Sequence, residues 1–171
     1  MGGPSNPTHG TGECHTRAVA IDDGEIIGFS TVPAVNTIEA AYVTPGLIDA
    51  HMHVEASMVT IPQYGDAVLP HGVTAVVHDP HEIGNVLGPD GVREFCADAD
   101  RTPLKARLTV PSSVPASALQ DTSGTIDPAA VDELLALDRA VALGEVMELD
   151  GVLDGDEAVQ QKIAAARERG L

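Results

Sequence analysis

What most restricts the fold of this chain is a repeated alternation, from Leu47 onward, of a short apolar run with an amphipathic helical stretch. The runs occupy residues 47–53, 73–79, 106–110 and 140–146. Each has the length of a buried strand, and behind each comes a stretch with the period of a helix. The first helical stretch has Pro62 near its start and Tyr64, Ala67 and Val68 on one face; the second carries Val92, Phe95, Cys96 and Ala99 on one stripe. Asp127 followed by Pro128 is a cap and a first-turn proline leading into Val131, Leu134 and Leu135. The last, residues 156–169, turns Val159, Ile163 and Ala166 inward and stops at Gly170. Four such units in a row predict an α/β fold with parallel strands and right-handed crossovers. Either an open doubly wound sheet or part of a (β/α)8 barrel satisfies that pattern.

Residues 45–171 hold these units, and two different segments precede them. Residues 18–29 form two β-prone runs around Asp22, Asp23 and Gly24, a hairpin signal, so residues 17–44 are expected to be a small β element, a partial β-sandwich. Residues 1–16 are rich in Gly, Pro, Ser, Thr and Asn without an apolar period, which predicts a disordered or weakly packed tail.

The chain has 171 residues, 43% of them hydrophobic, enough to build one core of ordinary size. Its charge excludes one class of partner. With 26 Asp and Glu against 9 Lys and Arg, the net charge is −17, and a nucleic acid polymer needs a basic surface to displace its counterions. Two readings of the acidity stand: adaptation to high salt, where self-repulsion is screened, or an incidentally acidic protein. No apolar run approaches the ~18 residues of a membrane span, and the first thirty residues lack a basic start followed by an apolar stretch. A soluble, cytoplasmic protein is the expectation. Cys14 and Cys96 lie far apart without C-x-x-C spacing, so they suggest neither a disulfide framework nor a zinc ribbon.

Three segments carry chemistry. In LIDAHMHVEAS, residues 47–57, Asp49, His51, His53 and Glu55 recur at every second position. Side chains alternate faces along a strand, so all four point one way if the strand runs that far, and two imidazoles at a strand's C-terminal end can hold one divalent metal. The bland alternative is chance polar alternation on a surface strand. In TAVVHDPHEIGNVLG, residues 74–88, four metal-competent side chains, His78, Asp79, His81 and Glu82, follow the second strand at the same end of the sheet. A polar loop with one capping Asp is the alternative there. In ALGEVMEL, residues 142–149, Glu145 ends a short apolar strand, where a carboxylate can bridge two metals; Glu148 is expected to be solvated. RLTVPSSVPAS, residues 107–117, suits a substrate-lining loop or an ordinary one, and His71 reads as a helix-end residue on the far side of the sheet. No G-x-G-x-x-G, P-loop or G-x-S-x-G occurs, so metal-assisted hydrolysis is the reaction class that remains.

At these residues the sequence resembles the amidohydrolase superfamily and, within it, the metal-dependent adenine deaminases. PGLIDAHMHVEASM (45–58), LPHGVTAVVHDPHEIGNVLG (69–88), the PSSVPAS stretch with Thr122 to Gly124 behind it, and GEVM (144–147) resemble that family's blocks in order and approximate spacing. The resemblance implies the first half of a metal-dependent (β/α)8 barrel that deaminates adenine to hypoxanthine and ammonia, with two divalent metals, manganese or iron, per complete site. His51 and His53 would hold the first metal and Glu145 would bridge the pair. His81 and Glu82 are the candidate catalytic residues, and Glu55 and Asp79 are candidates for an additional metal or for the substrate lining. The family's later strands supply two more histidines and an aspartate that these residues do not contain. The resemblance therefore predicts completion by a second-half polypeptide or by self-association. A catalytically inactive fragment or metal-binding module is the alternative from a different class. A dihydroorotase-like or deacetylase-like amidohydrolase is a third reading, which the DPHE and GEVM blocks oppose. His78 stands where the family has a small or apolar residue, and its role is left open.

Overall fold

The computed structural model describes residues 5–7, 14–16, 18–29, 36–117 and 119–171. The chain divides into two units, Met1–Pro45 and Gly46–Leu171. In the first, β1 (Ser5–Pro7) pairs antiparallel with β2 (Cys14–Thr16), inside the stretch expected to be a tail, whose other residues lie outside those described. Next, β3 (Ala20–Asp22) and β4 (Glu25–Gly28) form the expected antiparallel hairpin. Its two-residue turn has positive φ at both Asp23 (47°) and Gly24 (77°), the combination that matches the twist of paired strands.

The second unit is an α/β body around one four-stranded parallel sheet: β5 (Leu47–Met52), β6 (Val73–His78), β7 (Lys105–Val110) and β8 (Ala140–Leu143), lying side by side in chain order. Helix α1 (Ile61–Val68) joins β5 to β6, α2 (His81–Ala97) joins β6 to β7, and α3 (Pro128–Leu135) joins β7 to β8. After β8 come α4 (Leu149–Asp154) and α5 (Glu157–Glu168). Alternating strand and helix is the order the apolar pattern predicted, and the Asp127 cap is the one legible in it. Asp127 accepts the Ala130 N–H at 2.8 Å, and Asp156 accepts the Val159 N–H at 3.0 Å. Helix α2 begins far earlier than its apolar stripe and breaks at Gly88 (φ 64°, ψ −152°), ahead of Pro89, a backbone geometry open to glycine alone.

Two apolar clusters hold the helices to the sheet. Val92, Leu108, Val110, Ile126, Val131 and Leu134 form one, and Val54, Ile61, Val76, Leu104 and Ala106 the other. All are essentially without solvent contact, so each Val, Leu and Ile side chain contributes about 1.5–3 kcal/mol by burial, and Ala106 less. Cys96 packs in the first cluster, where burial pushes its thiol up to about 12. Four of the nine basic residues pair with acids: Arg93 with Asp90 and Glu133, Arg101 with Asp98, Arg139 with Asp100 and Arg169 with Asp132. Among the described residues no helix is long and apolar enough to cross a membrane.

Two expectations about strands need correction. The first strand ends at Met52, and residues Val54–Ser57 make a short 3-10 turn, so Glu55 does not continue the alternation. Within β5 the register places Asp49 beside Val76 and Met52 beside His78, with an extra residue on the β5 side between these pairs. Neighbours in a parallel sheet share a face, so this bulge sets Asp49 on the side of core-facing Val76 instead of with His51 and His53. Burial and the Asp49 carboxylate raise the phenol of Tyr64, on α1, above its ordinary value.

Candidate metal centre

All four strands are parallel, so the residues that follow them gather at one end of the sheet. His51 lies near the end of β5 and His53 just past it, Asp79 follows β6, Ser112 and Ser113 follow β7, and Glu145 follows β8. The structure brings His51, His53 and Glu145 together, each offering a nitrogen or oxygen within 4.8 Å of the others. The His51 and His53 rings meet edge to face with centroids 5.1 Å apart, and His53 Nε2 lies 3.2 Å from Glu145 Oε1. On its other side, His53 Nδ1 is 2.6 Å from the Asp79 main-chain oxygen and 3.5 Å from Glu82 Oε2.

A carbonyl oxygen can only accept, so the hydrogen of a neutral His53 sits on Nδ1 and a lone pair on Nε2 faces the Glu145 carboxylate. Two lone pairs at that distance repel unless a proton or a cation lies between them, and about 3 Å is the separation of two donors on one cation at ~2.1 Å each. The charges agree. Burial works against a charge on His53, but the Asp79 carbonyl and the carboxylates of Glu82, Asp79 and Glu145 outweigh it and raise its pKa above the ordinary value. The cluster favours a positive charge at that spot. Imidazole nitrogen with carboxylate oxygen is a donor set suited to divalent transition metals. Nearby, His81 Nε2 and Glu55 Oε2 are buried and lack a partner, so the residues present fit a cation better than they fit one another.

Glu55 and Glu82 form a second pair beside the histidines. Glu55 Oε1 accepts the Glu82 N–H, in the first turn of α2, at 3.2 Å. Burial first, and then the Glu82 carboxylate, push the Glu55 carboxyl up to about 7. His81, the first residue of the helix, is buried with Nδ1 2.6 Å from Asp79 Oδ1.

His78 is not part of this group. It pairs in register with Met52 and packs its ring 6.0 Å from that of Phe95 on α2, with neither nitrogen partnered. Burial pushes it down to about 4, with Arg139 acting in the same direction and Asp79 opposing, so it is a neutral core histidine. Alternation explains the split: His78 shares the face of Val76, and Asp79 takes the other. His71 is exposed, just ahead of β6 and so at the opposite end of the strands.

Several supports escaped the sequence reading. Ser112 Oγ donates to the Glu145 carbonyl at 2.7 Å, and Ser113 Oγ accepts the Met147 N–H at 2.9 Å, so the serines of the third loop hold the fourth. Lys162, buried on α5, donates to the Ser112 carbonyl at 2.7 Å. A lysine three residues after Val159 and four before Ala166, on the apolar stripe, was the signal available. Gly144 matters for a different reason: a Cβ there would lie 2.4 Å from Asp79 Oδ2.

Residues 42–171 match the amidohydrolase family. The chain belongs to that family. Amidohydrolases depend on metal, and the cluster above supplies candidate residues for it here. Among its relatives are adenine deaminases: that of Methanosphaera stadtmanae is 40% identical over 157 residues, covering 92% of this chain and 28% of the relative. That of Methanothermobacter thermautotrophicus is 39% identical over 161 residues, covering 94% and 29%, and the Rhizobium etli protein named adenine deaminase 2 is 50% identical over 130 residues, covering 74% and 22%. This amidohydrolase chain thus spans under a third of the length of each of these relatives.

Proposed function

We propose that this chain is the first half of the barrel of an adenine deaminase, in which His51, His53 and Glu145 hold divalent metal. The observation that carries the metal reading is His53, with Nδ1 given to the Asp79 carbonyl and Nε2 facing Glu145. Support for a half barrel comes from strand order. Four parallel strands run in chain order without the reversal that marks an open doubly wound sheet, and the candidate groups follow their C-terminal ends, where barrel enzymes keep their chemistry. Support for adenine comes from the relatives' shared name, adenine deaminase, and from their identity to most of this chain.

On this reading His51, His53 and Glu145 would hold divalent metal, manganese or iron, two per complete site, with two histidines and an aspartate contributed from outside these residues. When bound, the metal supplies Lewis acidity and lowers the pKa of a water for attack on C6 of adenine. The chain's own carboxylates do the rest. Glu55, with a pKa about 7, holds or releases a proton at neutral pH beside Glu82, the condition for passing one to departing ammonia. His81 lines the site. The location we assign is the cytoplasm.

The test is ammonia release from adenine by the purified chain with manganese, alone and with a polypeptide corresponding to the remainder of a relative. Turnover in the mixture supports the reading. Manganese binding without turnover in either case points to a metal-binding module with no catalysis.

A further inference from the structure

We propose that Asp79 is the positioning residue of this centre, setting the tautomer of two histidines and the place of Glu145 without itself holding metal; the proposal rests on the metal reading above. Asp79 has no solvent exposure, and it touches three separate segments of the chain. Its Oδ2 accepts the Glu145 N–H at 3.0 Å. Its Oδ1 is 2.6 Å from His81 Nδ1, and its main-chain oxygen is 2.6 Å from His53 Nδ1. Its own N–H donates to the Met52 carbonyl at 2.9 Å, which ties the end of β6 to the end of β5.

Asp79, His53 and His81 also lie close enough together to resemble a cation site of their own. The commitments of the carboxylate argue otherwise. Oδ2 is engaged by the Glu145 peptide N–H, which withdrawal to a metal would orphan, and Oδ1 lies 2.6 Å from His81 Nδ1, which fills the place a cation would take. A histidine that gives one ring nitrogen to a carboxylate or carbonyl keeps the other for metal, with its ring fixed. Both histidines follow that rule from opposite ends of the same residue. His53 meets the main-chain oxygen and His81 the side chain, so both are hydrogenated on Nδ1 and present Nε2. His81 Nε2 is buried and unpartnered; Nδ1 and Asp79 Oδ1 are not aligned as a hydrogen bond, so the hydrogen is placed on Nδ1 by their 2.6 Å separation alone, a distance two facing lone pairs would not tolerate. The Glu145 peptide is held from both sides, its N–H by Asp79 and its carbonyl by Ser112 Oγ. Gly144 is the residue that lets the carboxylate come this close.

The experiment is a long-range proton–nitrogen NMR measurement of histidine tautomers in the metal-free 171-residue chain at pH 9, with manganese titrations of the same samples. In the unmodified chain both His53 and His81 should be hydrogenated on Nδ1, and hydrogen on Nε2 of either overturns the proposal without any variant. In Asp79→Asn the amide oxygen stays on the Glu145 N–H, so the NH2 turns to His81 Nδ1. His81 should switch to the Nε2-hydrogenated form, His53 should not, and manganese affinity should fall roughly ten- to hundred-fold. Unchanged His81 and unchanged affinity overturn the proposal, as does a loss of affinity equal to that of Glu145→Gln, which would make Asp79 a ligand. If Glu145→Gln itself leaves manganese binding intact, the metal reading fails instead.

Discussion

Lys162, buried in the middle of α5, donates its ammonium hydrogen to the main-chain oxygen of Ser112 at 2.7 Å. Burial lowers the Lys162 pKa, while Glu148, Asp127 and Asp156 oppose that by favouring its charge. The bond links the last helix to the loop that holds Glu145. Lys162→Met keeps the apolar stem and removes the donor, leaving a buried carbonyl without a partner. Destabilisation by about 1–3 kcal/mol is expected, read as a lowered urea midpoint with unchanged slope. A midpoint equal to that of the unmodified chain would refute the role given to this bond.

His51→Ala and Glu145→Gln should each lower bound manganese well below one equivalent per chain, as measured by equilibrium dialysis. His78→Gln, placed on the other face of the sheet, should leave the stoichiometry alone once the protein is shown to be folded. Equal metal content in all three variants and the unmodified chain would dissolve the assignment of the centre.

The pH dependence of metal binding follows from His53. Its pKa is raised above 6.5, and metal needs the unprotonated ring, so protons compete with manganese up to a pH above that value. Affinity should climb as pH rises through the raised pKa and then level off. Calorimetric titrations that give one affinity from pH 5.5 to pH 8.5 would rule this out.

Stability without metal should run the other way at Glu55. Its carboxyl is pushed from 4.5 up to about 7 in the fold, so the neutral form is favoured there. The stability it contributes is fully present below about 4.5 and is lost as pH rises through 7. Glu55→Gln should flatten that decline, making the variant the more stable of the two at pH 8 in the presence of chelator. A parallel loss in both proteins would remove Glu55 as the cause.

Gly144→Ala tests the close approach. The new Cβ would stand 2.4 Å from Asp79 Oδ2 and 2.9 Å from its Cγ, against a fully buried carboxylate that already holds the Glu145 N–H. A cost of about 1–3 kcal/mol is expected from overpacking, with weakened manganese binding. Normal stability and binding would show that the loop moves aside freely.

Much of this protein was legible in order along the chain. Apolar periods marked the four strands of the sheet and the helices α1, α2, α3 and α5, Asp127 announced its cap, and the spacing of His51 and His53 marked a metal-competent pair. These are local properties, set by the repeat of a strand or a helix and by which backbone groups a side chain two or three positions away can reach. What only the tertiary structure decided is which of the candidate residues meet. The bulge in β5 moved Asp49 to the other face, alternation along β6 sent His78 into the core and Asp79 to the centre, and Glu55 reached the N-terminus of α2 from a turn. Glu145 joined His53 from the opposite side of the sheet because parallel strands deliver their ends to one place, and Gly144, Ser112 and Lys162 were needed to seat it. A one-residue shift of register turns a strand's side chains over, and nothing in the linear order of residues encodes that shift until neighbouring strands have paired.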